Sequence, residues 1–128
     1  MAAMSDFLEN ALINATLRNT TYTSPADVYV GLFTSNPTDD GSGTEVSGGS
    51  YAREIATFAA PTNGASSTNA DVQFTQATDN WGTVTHFGIF DALTSGNLLY
   101  HGVLTSSKNI ETGDVFKIAT GNLTVTLD

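Results

Sequence analysis

The chain has 128 residues, with 13 acidic side chains against four cations, Arg18, Arg53, Lys108 and Lys117, and a formal charge of −9. Four scattered cations cannot neutralise a run of phosphates, and the same balance disfavours anionic bilayers, so no nucleic acid and no membrane is expected as a partner. Cysteine is absent, which removes disulfides and thiolate metal sites and leaves the redox compartment open.

Met1 to Asp6 lacks the basic region and apolar core of a signal peptide, so synthesis in the cytoplasm is expected, with export inside an assembled particle. Ser5 has N-cap chemistry, and Asp6 and Glu9 put negative charge where a helix dipole favours it. Leu8, Ala11, Leu12 and Ala15 follow at helical spacing, with Phe7 and Ile13 on the flanks, which predicts a helix over about 6–18.

Beyond Ser24-Pro25 the period falls to two. Val28, Val30 and Leu32 alternate with Tyr29, Gly31 and Phe33, the pattern of a strand covered on both faces. Residues 35–50, SNPTDDGSGTEVSGGS, have no apolar period and read as a long exposed loop. Structureless loops of that length in compact domains are usually functional or disordered. Tyr51 to Phe58 reads as a strand, Pro61 to Asn69 as a second loop, and Val72 and Phe74 as the core side of a short strand. Trp81-Gly82 opens a strand running to Phe90, and Ser95-Gly96-Asn97 turns it into a return strand from Leu98 to Leu104. Turns at Glu111–Asp114 and Gly121-Asn122 lead into strands at Val115 to Ala119 and Leu123 to Leu127. The 20 Thr, 11 Ser and 10 Asn suit this reading, since the β-branch of Thr packs well on a pleated surface. The expected fold is mainly β, an antiparallel β-sandwich or jelly-roll-like barrel with one N-terminal helix, in a single domain over 1–128.

Chemistry is thin. His86 and His101 fall on expected hairpin neighbours and could share a metal, but no third ligand lies near them in sequence, so strand residues bonded to backbone or water are expected. Asp39 to Glu45 interleaves oxygens with glycine yet lacks the twelve-residue calcium-loop spacing, which reads as a solvated loop. Asp79 and Asp91 are the pair a glycosidase would need, but Asp91 more simply opens the hairpin turn. Trp81, Tyr22, Tyr51 and Tyr100 could form a sugar platform or pack inside, with Trp81 read as a core plug. No nucleophile-elbow or phosphate-loop motif is present. No catalytic, metal or cofactor residue is assigned, and enzyme activity is not expected.

The stretches TSPADVYVGLFTSNPTDDGSGTEVSGGSYARE, WGTVTHFGIFDALTSGNLLYHGVLT and TGDVFKIATGNLTVTL, with DFLENALINATLRNTTYTSP before them, resemble a family of small virion proteins of tailed phages. Members are commonly labelled tail fibre proteins, and similar chains serve as capsid cement proteins in cyanophages. The resemblance implies a structural component of the virion. The role expected first is cement: a homotrimer on the capsid exterior, bound to the major capsid protein and tying capsomers together. The alternatives are a tail or tail-fibre-associated adaptor bound to tail proteins, and a carbohydrate-binding module. The expected interface combines the helix, through Phe7, Leu8 and Leu12, with the acidic loop and its exit, through Asp39, Asp40, Glu45 and Tyr51.

Overall fold

The computed structural model describes residues 2–127. Its main layer is a five-stranded antiparallel sheet of β1 (Ala2–Met4), β2 (Val28–Phe33), β3 (Glu54–Ala56), β6 (Gly82–Phe90) and β7 (Leu98–Ile110), in the order β1-β7-β6-β2-β3. Two small antiparallel pairs make the second layer: β4 (Ala65–Ser67) with β9 (Thr124–Thr126), and β5 (Val72–Gln73) with β8 (Lys117–Ile118). Of the two arrangements expected, the sandwich is the one formed. The large sheet ends on β1 and β3 and does not close into a barrel.

The core lies between the layers. Val30 and Leu32 of β2, Phe87 and Ile89 of β6 and Ala56 of β3 face Val72, Phe74, Ile118 and Leu123 from the second layer. Trp81 is buried against Phe74 and Tyr51, and its indole N–H donates to the Gly49 carbonyl at 2.9 Å. A buried indole needs such an acceptor, so Trp81 is the core plug its position suggested.

Helix α1 (Asp6–Leu17) begins where its caps require. Ser5 is buried, accepts the Leu8 N–H at 3.2 Å, and donates its hydroxyl to the Leu98 carbonyl at 2.5 Å. One residue thus caps the helix and ties it to β7. The helix ends at Arg18, and Asn19 takes a left-handed φ of 54°, a conformation Asn tolerates at helix ends.

Five boundaries differ from the sequence reading. β1 precedes the helix, where three residues are too few to show a period. The loop over 61–69 contains β4, whose Ala-Ser-Ser composition carries no apolar signal. The strands expected over 51–58 and 115–119 shorten to Glu54–Ala56 and Lys117–Ile118. β7 instead lengthens to 13 residues, carried by a bulge against β6 that falls between the pairs Val84↔Lys108 and His86↔Val103.

Candidate functional site

The face of the large sheet turned away from the core is covered by the chain's own loop, and of the residues expected at an interface Glu45 lies there. Gly31 and Gly88 are register partners at its centre. A Cβ on Gly31 would lie 2.7 Å from the Glu45 carboxylate, and one on Gly88 would lie 2.8 Å from Leu98 Cδ1 and 3.0 Å from the Phe33 and Phe90 rings. The two glycines form the floor on which Phe33, Phe90 and Leu98 cluster.

Segment 35–50 is exposed over most of its length, and a few of its residues pin it to this floor. β2 runs past the end of β3, leaving the Leu32 backbone groups without a partner on that edge. The Tyr51 hydroxyl accepts the Leu32 N–H at 2.9 Å, and the Val46 N–H donates to the Leu32 carbonyl at 2.9 Å. Pro37 and Val46 are buried. Backbone groups inside a fold need such partners, which explains why a polar segment lies down along a strand.

Arg53 fixes the arrangement. Its Nε and one terminal nitrogen donate to the two Glu45 carboxylate oxygens at 2.9 and 2.8 Å. The other terminal nitrogen donates to the carbonyls of Ala92 and Ser95 at 2.9 and 2.8 Å. The guanidinium lies 3.5 Å over the Phe90 ring, a cation–π stack. With its side chain only 9% exposed, Arg53 joins the loop, the sheet and the 91–97 turn. Tyr51 donates to the same Glu45 carboxylate at 2.7 Å. Burial, and then that bond, push the Tyr51 hydroxyl far above the usual phenol range.

The loop tip is tied to the helix. The Asp39 carbonyl accepts the Asp6 N–H at 2.9 Å, and His101 Nε2 donates to Asp39 Oδ1 at 2.8 Å. Carboxylate oxygens of Asp6, Glu9 and Asp39 lie within 4.8 Å of one another at the helix N-terminus. Asp40 points elsewhere: Thr38 and Ser42 donate to it, and those bonds hold its carboxyl below the usual range. Glu45 faces Arg53, so the oxygens from Asp39 to Glu45 do not converge.

Of the expected interface residues, Phe7, Asp39 and Asp40 lie on the surface and Leu12 is half-buried. Leu8 is buried, and Glu45 and Tyr51, both half-buried, make internal bonds. His86 and His101 do stand on paired strands, but each turns to its own partner: His86 Nδ1 lies 2.8 Å from the Thr85 hydroxyl. Asp91 accepts from the Asn97 backbone and side chain at 2.7 and 3.0 Å, closing the hairpin turn. With Trp81 and Tyr51 packed inside, the four aromatics do not assemble an exposed sugar platform. Arg53 is the residue sequence reasoning missed, because its partners lie eight and about forty positions away.

The family model for the Podophage GP4 fiber I protein gp80 matches residues 3–126. The chain belongs to that family. The gp80 match takes in the helix, the closed loop and all nine strands except the first residue of β1. It makes the protein a phage virion structural protein of the fibre type, and the gp80 family is one of structural proteins and not of enzymes. No curated protein matches the chain.

Proposed function

We propose that the protein is a fibre-associated structural module of a phage particle, an adaptor that seats a fibre on the particle body rather than a fibre shaft. The observation that carries this is the match to a fiber I protein over 3–126. The fold supports an adaptor over a shaft. Shafts are built from long repeats or coiled-coil heptads, whereas the described residues hold one helix of 12 residues and strands folded back on a compact core. The polar bonds over the loop face tie loop, sheet and turn together, which suits a part that transmits load between neighbours.

Capsid cement is the second reading: a homotrimer on the capsid exterior, bound to the major capsid protein. A chain with only 13% charged residues and many hydroxyls and amides favours it, since that composition suits repeated lattice contacts. The test is to separate heads from tails of purified particles and count this chain's peptides in each by mass spectrometry. Peptides in the tail fraction support the adaptor. Peptides that follow the heads replace it with cement, and their absence from both removes the virion reading for this chain.

A further inference from the structure

Helix α1 buries little for its length. Of its 12 residues only Leu8 is buried. Leu17 stands nine positions on, half a turn round the helix axis, so it lies on the side opposite Leu8. Leu17 is 79% exposed and Ile13 is 52% exposed. Asp6, Asn10, Ile13 and Leu17, spaced four, three and four apart, form one continuous outer stripe. Its C-terminal half is apolar. Its N-terminal half is acidic and continues into Glu9 and Asp39, with Phe7, 41% exposed, on the flank.

We propose that this stripe is the face by which the protein docks on the particle, and that its partner is another virion protein presenting an apolar patch bordered by Lys or Arg. The inference rests on the reading of the chain as a particle component. The choice of partner follows from charge. Buried next to an apolar contact, the carboxylates of Asp6, Glu9 and Asp39 need cations opposite them.

A second copy of this chain supplies them poorly. Among the described residues, Arg53 is spent on Glu45, Lys117 lies 3.8 Å from Asp71, and exposed Arg18, bonded to the neutral Asn14 side chain, offers one cation against three carboxylates. Lys108 sits ten positions along β7 from Leu98, where the helix is anchored. A parallel pairing of two stripes would also set Asp6 on Asp6, and an antiparallel one would set Leu17 on Asp6. Polyanions are repelled by the same carboxylates. A basic protein surface satisfies both halves of the stripe.

The test uses particles assembled without this protein and the purified full chain, with binding read by co-sedimentation across a salt series. The wild type should bind saturably and weaken severalfold as salt rises, because the acidic half is screened. Ile13→Glu with Leu17→Glu should weaken binding about tenfold or more, as expected for losing the apolar centre of an interface. Asp6→Asn with Glu9→Gln should weaken it severalfold and flatten the salt dependence. Lys108→Glu should bind like wild type. All the substituted side chains are exposed, and melting curves check that each variant folds.

Variants of the stripe that bind like wild type overturn the proposal and leave the virion reading standing. A concentration-dependent dimer in sedimentation equilibrium, dissolved by the Ile13 and Leu17 changes, overturns it in favour of self-association. Wild-type protein that fails to bind also overturns it, and its absence from native particles would then remove the virion reading as well.

Discussion

The two faces of the large sheet are held down in different ways. On the core face Val30, Leu32, Phe87 and Ile89 meet apolar side chains of the second layer, and each contact is one of many similar ones. On the loop face the cover is polar, and a few residues fasten it: Arg53 to Glu45, Tyr51 to Leu32, and His101 to Asp39. Dispersion and hydrophobic burial spread stability over many side chains, while a buried hydrogen-bonded ion pair concentrates it in two. Among the described residues every buried side-chain polar atom has a partner, so the polar cover is complete. The core face therefore loses stability in proportion to the packing a change removes, and the loop face depends on individual bonds.

The comparison can be broken hardest from the core side. Phe74, 1% exposed and touching Tyr51, Trp81 and Phe116, has no space to collapse into. Phe74→Ala should destabilise by about 3–5 kcal/mol, read as a fall in the denaturation midpoint. On the loop face, Arg53→Ala strands the Glu45 carboxylate and should cost about 3 kcal/mol, somewhat less than a fully buried pair because Glu45 is partly wet. Replacing both partners, Arg53→Met with Glu45→Gln, should recover much of that loss in the same denaturation assay. If the double variant is as unstable as the single one, packing on Phe90 and not the charge pair holds the loop.

Gly31→Ala tests the floor beneath the pair. The new methyl meets the Glu45 carboxylate and the Tyr51 hydroxyl and should cost about 1–3 kcal/mol, with the strain read as faster amide exchange at Val46 and Leu32. A stability unchanged from wild type would mean that the loop lifts without penalty. The smallest effect comes from His86. Burial, and then the charge of His101, lower its pKa in the folded protein. The folded state thus binds its proton less readily than the unfolded chain, so this contribution to stability is complete above about pH 6.5 and is lost as pH falls below that. His86→Gln should flatten the decline in melting temperature between neutral and mildly acidic pH. An identical profile for variant and wild type would remove His86 from the account.

The same contrast explains what was legible in the sequence. Period-two alternation at 28–33, capping chemistry at Ser5 and the Ser95-Gly96-Asn97 turn are local signals, and the elements they mark are present. Val72 and Phe74 were readable as core because burial on one side of a strand leaves a pattern. The loop face left none. Glu45 and Arg53 are eight positions apart, and Asp39 and His101 are 62 apart, so no window of sequence contains their pairing. A polar loop that closes over a sheet reads like one that waves in solvent, because both are made of Gly, Ser and Asp. β4 was lost for a related reason, since its three small residues are half-buried and carry no hydrophobic period.

The most direct test is cryo-electron microscopy of the intact particle at a resolution that traces side chains. The account predicts this fold at the base of a fibre, with Ile13 and Leu17 buried against a neighbouring protein and cations facing Asp6 and Glu9. The same fold found on the capsid lattice, with α1 facing solvent, would contradict both the adaptor role and the docking face.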